Sequence, residues 1–292
     1  MTQLVGLFGY PLSHSISPAF QQAALDHCAI QARYQGWATP PEQFAAEIER
    51  LRGDDYLGAN VTIPYKEAVA RLVDEVDEVG RRLRAVNTIV KDGVSLVGCN
   101  TDEYGFMRSL REKGGFDPDC RSALLLGAGG AARAAACGLV AAGIERLTIA
   151  NRTLERASAL AAEVRRPGCD VVAASMDERG LTAACAAADL IVNATSVGMR
   201  YGPAEGRSPL PAGAVSEGAL VYDMVYTPAE TPLLLDAARA GARSVGGLSM
   251  LVFQGAASFR MWTGVEAPVD VMFRAAEEAM AGLGVGPGQT RE

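Results

Sequence analysis

The stretch Ala123-Leu124-Leu125-Leu126-Gly127-Ala128-Gly129-Gly130-Ala131-Ala132-Arg133-Ala134 constrains this chain more than any other. Its short apolar run reads as a buried parallel strand that breaks straight into a glycine-rich turn. The turn runs on into an alanine-rich segment with helical periodicity. Strand, Gly-x-Gly-x-x-Ala and helix, in that order, form the phosphate grip of a dinucleotide-binding unit. Gly127 permits the tight turn, Gly129 lets the backbone approach a pyrophosphate, and Ala132 is small enough for helix and strand to pack closely. The helix N-terminus offers unpaired N–H groups and partial positive charge to the phosphates. A plain tight βα turn would use the same residues, so the flanking sequence has to decide.

Downstream, strand and helix alternate strictly. Ser122–Leu126, Arg146–Ala150, Leu190–Asn193 and Leu220–Met224 are short apolar strands with helices between them. That order predicts a parallel sheet covered on both faces. Upstream, Lys113–Asp119 is polar, broken by Gly and Pro, and reads as a linker. The 292 residues allow one large domain or two ordinary ones, and 49% hydrophobic with 21% charged residues can bury a substantial core. A net charge of −7 offers no surface for a polyanion, so nucleic acid is not an expected partner. No apolar run has the length of a membrane span, and the first residues lack a secretory pattern. Six scattered cysteines and two histidines give no metal-ligand spacing, so we expect reduced thiols in a cytoplasmic protein and no metal.

The first part of the chain mixes strands and helices. Leu4–Phe8, Ala32–Trp37 and Leu57–Ile63 read as strands, the last stopped by Pro64. Ser17 is expected to N-cap a helix that starts with Pro18 and runs to about His27. Glu42–Leu51 and Lys66–Val79 read as helices, and Ala85–Val90 with Val94–Gly98 as a hairpin around Asp92-Gly93. A helix Tyr104–Glu112 follows Asn100-Thr101-Asp102. The last segment is helical over Ser249–Trp262 and Val269–Ala281, and the tail from Gly282 reads as frayed.

The second strand of the dinucleotide-binding unit ends in Asn151-Arg152-Thr153, with Arg156 one turn later. A unit that prefers NAD carries a carboxylate there for the ribose hydroxyls. A guanidinium instead suits a 2′-phosphate, and Thr153 can add a hydroxyl. The expected cofactor is NADP. In the first part, Asn60-Val61-Thr62-Ile63-Pro64-Tyr65-Lys66 sets an amide, a hydroxyl and an amine at one strand end. Asn87 ends a second strand-like run, and Asn100-Thr101-Asp102 a third. Lys66 and Asp102 in one crevice would form a proton-transfer pair; a solvated Lys and an N-capping Asp are the plainer alternative.

These residues carry a resemblance. From Gly9 to about Ala281 the chain resembles the shikimate dehydrogenase family in nine ordered blocks. They are Ser13-His14-Ser15-Ile16-Ser17-Pro18, Asn60-Val61-Thr62-x-Pro64-x-Lys66, Ala85-Val86-Asn87-Thr88, Asn100-Thr101-Asp102, Gly127-Ala-Gly-Gly-Ala131, Asn151-Arg152-Thr153, Asn193-Ala194-Thr195-Ser196-x-Gly198-Met199, Tyr222-Asp223-Met224-x-Tyr226 and Gly247-Leu248-x-Met250-Leu251-x-x-Gln254. The resemblance implies an α/β architecture of two three-layer domains. A mixed-sheet substrate domain over 1–103 precedes a Rossmann NADP-binding domain over 104–246, and C-terminal helices over 247–292 pack back on the first.

It also implies reversible hydride transfer between NADPH and the 3-keto group of 3-dehydroshikimate, giving shikimate. Ser15, Ser17 and Tyr226 would bind the substrate carboxylate, and Thr62, Asn87 and Gln254 the ring hydroxyls. Lys66 and Asp102 would exchange the proton. Gly127, Ala128, Gly129, Gly130, Ala131, Asn151, Arg152, Thr153, Arg156 and Thr195 would hold the cofactor phosphates and adenosine. Met224 and Gly247 would line its nicotinamide end, with Glu78 approaching it. The partner is thus a small molecule, and the protein a monomer or homodimer with no membrane attachment. Gln21, Cys99 and Ser249 depart from the usual family pattern. A paralogue acting on quinate or aminoshikimate shares the same frame, and a non-catalytic NADP-binding regulator is the alternative of another class.

Overall fold

Strands and helices are interspersed along the chain in this computed structural model, which describes residues 2–12 and 15–284. The chain divides into two compact units, one of Met1–Gly105 with Val252–Glu292 and one of Phe106–Leu251. In chain order the elements begin with β1 (Gln3–Gly9), α1 (Ser17–His27), β2 (Ala32–Ala38), α2 (Pro41–Arg50) and β3 (Tyr56–Val61). They continue with β4 (Glu75–Val76), α3 (Glu78–Leu83), β5 (Thr88–Asp92), β6 (Ser95–Cys99) and α4 (Asp102–Glu112). The strands β7 (Ser122–Leu126), β8 (Arg146–Ala150) and β9 (Asp170–Ala174) alternate with α5 (Gly130–Ala141), α6 (Leu154–Val164) and α7 (Glu178–Ala186). Last come β10 (Leu190–Asn193), β11 (Leu220–Asp223), α8 (Pro232–Arg239), β12 (Arg243–Gly246), α9 (Leu248–Thr263) and α10 (Val269–Gly284). The chain changes unit inside α4 and again inside α9, while the 113–119 turn lies within the second unit.

The first unit holds a mixed sheet in the order β2-β1-β3-β5-β6-β4. β1, β2 and β3 are parallel, whereas β5 runs antiparallel to both β3 and β6. Alternation along β3 sends successive side chains to opposite faces. Ala59 and Val61 join Phe8, Phe44 and Ile48 in the core beneath α2. Gly58 and Asn60 face α9, where a Cβ on Gly58 would lie 2.7 Å from Trp262 and Asn60 Nδ2 donates to Ser258 at 3.0 Å. Helices therefore cover both faces, and α10 packs on α1. Proline in the first turn of α1 and α2 presets φ where no intrahelical donor is needed.

The second unit is an all-parallel sheet in the order β12-β11-β10-β7-β8-β9. Counted from β7, that is the 3-2-1-4-5-6 order of the Rossmann fold, with the switch point between β7 and β10. Leu124, Leu126, Ile191 and Val221 pack with Leu181, Cys185, Leu233 and Ala237 of α7 and α8. The alternate residues, Leu125, Ile149 and Val192, are equally buried. Burial on both faces is why these strands read as unbroken apolar runs.

Three local expectations are corrected. Ser17 is the first residue of α1, and Ile16 occupies the cap position without a side-chain hydrogen bond. Lys66–Val79 is not one helix but a short 3₁₀ turn at Val69–Arg71, the strand β4 and the start of α3. Val86 N–H takes the Lys66 carbonyl at 2.7 Å, Asp74 N–H and Asp77 N–H pair with Leu96 and Gly98 at 2.9 and 2.8 Å, and Asp77 caps α3. These long-range bonds override the local periodicity. Asn87 precedes β5 instead of ending a strand. α10 extends through Gly284, and the rest of the expected frayed tail lies outside the described residues, as do Ser13 and His14.

Gly58 has φ +151°, and an added Cβ would meet the Ile89 carbonyl at 2.3 Å. Gly58→Ala is expected to destabilise the protein by about 3 kcal/mol through strain and overpacking. Denaturant unfolding measures this; a loss of well under 1 kcal/mol would contradict the packing of Trp262 on this strand.

Candidate active site

Direction reversals in the first sheet bring its polar residues to one edge. β1 and β3 end side by side, Asn60 pairs in register with Thr88 at the start of β5, and Thr88 pairs with Cys99 at the end of β6. Ser15 and Ser17 follow β1, Thr62 follows β3, Asn87 precedes β5, and Asn100-Thr101-Asp102 follows β6. Lys66 Nζ lies 2.7 Å from Asp102 Oδ2. The Asp102 side chain is only 11% exposed and the Lys66 side chain 29%, so the pair is partly shielded. Asn87 Nδ2 donates to the other carboxylate oxygen, Oδ1, at 2.9 Å, and to Gln254 Oε1 on α9 at 3.2 Å. Asp102 N–H donates to Asn100 Oδ1 at 2.9 Å, and Asn100 Nδ2 to the Ala85 carbonyl at 2.8 Å.

The structure thus groups Lys66, Asp102, Asn87 and Gln254 into one hydrogen-bonded cluster. Thr62 is held in the turn by its own backbone, donating to Phe8 and accepting from Tyr65. Ser15 Oγ accepts from Ser17 N–H at 3.4 Å, and Ser17 is buried. Tyr226 belongs to the second unit, after β11. Glu78 stands exposed at the start of α3. That helix is tied to α4 by Arg82, whose Nη2 donates to both oxygens of Glu103 at 2.9 and 2.7 Å. Thr88, Thr101 and Ser258 join the cluster without having been given a role from sequence. Ser258 is four residues beyond Gln254 on one helix, and that spacing is the signal that places both on one face.

In the second unit, Gly127 has φ +110°, and a Cβ there would meet the Ala194 carbonyl at 3.1 Å. The loops after β7 and β10 therefore touch at the switch point. Gly129 and Gly130 open α5 with nothing within 4 Å of an added Cβ, which leaves the exposed helix start open to a ligand. Ala128 and Ala131 are half-buried, and Ala132 is fully buried against the sheet.

Asn151, Arg152, Thr153 and Arg156 surround the start of α6. Asn151 Nδ2 donates to the Thr153 carbonyl at 2.9 Å. Arg152 and Arg156 are exposed, and neither enters an ion pair among the described residues. Thr195 Oγ1 donates to Asn193 Oδ1 at 2.6 Å, and Asn193 Nδ2 to Asp223 Oδ1 at 2.9 Å. Burial pushes the Asp223 carboxyl up, against the pull of hydrogen bonds from Thr231, the Val225 N–H and Asn193. This network fixes the loops that carry Thr195 and Met224. Gly247 passes so close to Met224 that a Cβ would fall 2.1 Å from its carbonyl oxygen.

Two departures from the family pattern are structural. Ser249 Oγ lies 2.5 Å from Ser109 Oγ, which accepts from Tyr222 Oη at 2.7 Å. Cys99 is buried, and desolvation with Asp77 nearby pushes its thiol up to about 12, so it stays protonated. Among the described residues no helix is long and apolar enough to cross a membrane, and no cluster of His, Cys, Asp and Glu could hold a metal ion.

The fold and these two sites define a two-unit α/β protein whose second unit is built to hold a dinucleotide. Residues 7–89 match the shikimate dehydrogenase substrate binding domain, 111–199 the shikimate/quinate 5-dehydrogenase family, and 247–277 the shikimate 5′-dehydrogenase C-terminal domain. The chain is 45% identical to a shikimate dehydrogenase (NADP(+)) of Moorella thermoacetica over 291 residues, 99% of this chain and 98% of that one. Among solved structures, shikimate 5-dehydrogenase of Thermus thermophilus in complex with NADP(H) and shikimate is 38% identical, with TM-score 0.84 over 95% of this chain and 99% of that one. Quinate dehydrogenase of Corynebacterium glutamicum in complex with NAD is 33% identical, with TM-score 0.86 over 95% and 99%. The chain belongs to the shikimate dehydrogenase family.

Proposed function

We propose that this protein is an NADP-dependent shikimate dehydrogenase, reversibly reducing the 3-keto group of 3-dehydroshikimate to the alcohol of shikimate, a step of aromatic amino acid biosynthesis. The observation that carries the reading is the 2.7 Å contact of Lys66 with Asp102 among amides and hydroxyls on one sheet edge. Ser15 and Ser17 are assigned to the substrate carboxylate, and Thr62, Asn87 and Gln254 to the ring hydroxyls. Hydroxyl and amide donors suit a substrate that carries one carboxylate and several alcohols.

NADPH, when bound, supplies the hydride. Gly127 to Ala131 would cradle its pyrophosphate on α5, with Thr195 alongside. Met224 and Gly247 are assigned to the nicotinamide end and Glu78 to its approach. Asn151, Arg152, Thr153 and Arg156 would hold the adenosine 2′-phosphate, and the free guanidiniums and open glycine turn fit such a group. Lys66 donates a proton to the oxygen on which negative charge develops, and takes it back in the oxidative direction. Asp102 holds the ammonium in place. An ammonium beside that oxygen stabilises charge that appears mainly in the transition state. The reading places the protein in the cytoplasm as a monomer or homodimer, a setting in keeping with cysteines that form no disulfide among the described residues.

Quinate is the competing substrate, since one solved relative is a quinate dehydrogenase. Initial rates with shikimate and quinate, each with NADP and NAD, should be highest for shikimate with NADP. A higher kcat/KM for quinate with NAD would overturn the assignment. Lys66→Ala should lower kcat by at least about a hundredfold while leaving NADPH binding nearly intact; near-normal kcat would remove Lys66 from the chemistry. Arg152→Ala should weaken NADPH by roughly ten- to a hundredfold and leave NADH almost unchanged, as expected for loss of a charge-assisted phosphate contact. Equal losses for both would show that the 2′-phosphate is read elsewhere.

A further inference from the structure

We infer that Thr88 positions the Asp102 carboxylate through Asn87, as the last hydroxyl in a buried one-way chain of hydrogen-bond donors that starts at Tyr34. The inference rests on the assignment of Lys66 and Asp102 as the proton-transfer pair. All members of the chain lie in the first unit. Tyr34, Asn60, Ser258, Thr88 and Asn87 are buried, with Thr88 and Ser258 wholly inaccessible.

Asn87 is where the direction is set. Its Oδ1 accepts from the Thr101 backbone N–H at 2.9 Å, and a main-chain donor cannot turn away. Oδ1 therefore stays on that side, and Nδ2 faces Asp102 Oδ1 at 2.9 Å. Thr88 Oγ1 adds a second donor to Oδ1 at 3.0 Å. The proton on Thr88 is sent that way by what lies behind it. Ser258 Oγ is 2.7 Å from Thr88 Oγ1, a separation that requires a proton between the two hydroxyls. Carried by Ser258, that proton leaves Thr88's own for Asn87. The alternative acceptors for Ser258, the Gln254 carbonyl at 3.1 Å and Thr101 Oγ1 at 3.3 Å, are both farther than Thr88 Oγ1.

Asn60 Nδ2, which can only donate, reaches Ser258 Oγ at 3.0 Å. Its amide is turned by Tyr34 Oη, which donates to Asn60 Oδ1 at 2.9 Å. Burial pushes the Tyr34 phenol up, so Oη keeps its proton. Asn60 Nδ2 also reaches Thr88 Oγ1 at 3.2 Å and the Asn87 carbonyl at 3.1 Å, and Asn87 Nδ2 also reaches Thr101 Oγ1 at 2.9 Å. Along the path from Tyr34 to Asp102 each donor has an acceptor on the carboxylate side, so the dipoles add, and the low-dielectric surroundings strengthen each bond. Because the far end is a buried tyrosine, the chain orients and polarises the Asn87 amide and opens no path for protons to solvent. Asp102 then keeps Oδ1 on Asn87 and Oδ2 on Lys66.

The test is a double-mutant cycle of Thr88→Val with Asp102→Asn, reading kcat and the KM for NADPH of the purified full-length enzyme. Thr88→Val, which keeps the shape and removes the hydroxyl, is expected to lower kcat about tenfold with KM for NADPH within about twofold. Thr88→Ser is expected to restore kcat to within about twofold of the parent. In the Asp102→Asn background, Thr88→Val is expected to cost nothing more, since residues acting through one group are not additive. A merely structural role would give the same loss in both backgrounds and would overturn the inference, as would an unchanged kcat for Thr88→Val. Should Thr88→Val not fold, Tyr34→Phe serves in the same cycle, with an expected loss of about threefold and the same criterion. Full activity in Asp102→Asn alone would overturn the acid/base assignment itself, and this inference with it.

Discussion

Strand β5 runs antiparallel to both of its neighbours, and that reversal brings the end of β3, the start of β5 and the end of β6 to one edge of the sheet. Without it, Asn87 and Asp102 would sit at opposite ends of the layer. With it, a carboxylate, an ammonium and two amides meet within hydrogen-bond distance. Asp102, at the start of α4, could have been only a helix-start carboxylate. Its two oxygens are instead divided between Lys66 and Asn87, so its orientation is set by side chains from two separate segments.

Packing of α9 on the sheet holds this edge in place. Gly58 leaves room for Trp262, whose Nε1 donates to the Ile89 carbonyl at 2.9 Å, and Gln21 Nε2 grips the Gly255 carbonyl at 3.0 Å. Those contacts fix α9, and with it Gln254 and Ser258, on the sheet. The second unit is organised by comparable means. Gly127 lets the loops after β7 and β10 touch, and the buried Asp223 network holds the loop that bears Met224. In each unit, buried polar groups, rather than loop length, decide where the residues assigned to ligand binding stand.

Much of this was legible in the sequence for reasons that can be named. β7, β10 and β11 are covered on both faces and read as apolar runs. β9 and β12 were missed because they are the edge strands of that sheet, and exposed residues break their pattern. Val69, Leu72, Val73 and Val76 recur at helical spacing, yet pairing of β4 with β6 and the capping of α3 by Asp77 decided that segment. Lys66 and Asp102 were recognisable by residue type at the ends of strand-like runs. The hydrogen-bond network behind Asp102 was not, because Asn87, Gln254 and Ser258 come from segments brought together only by sheet direction and by the return of α9.

A crystal structure of the protein with shikimate and NADP tests the central claim most directly. The account predicts Lys66 Nζ within about 3 Å of the oxygen on the carbon that exchanges hydride, with the Lys66–Asp102 contact retained. A ternary complex in which Lys66 stays beyond about 5 Å from that oxygen, with another acid in its place, would contradict it.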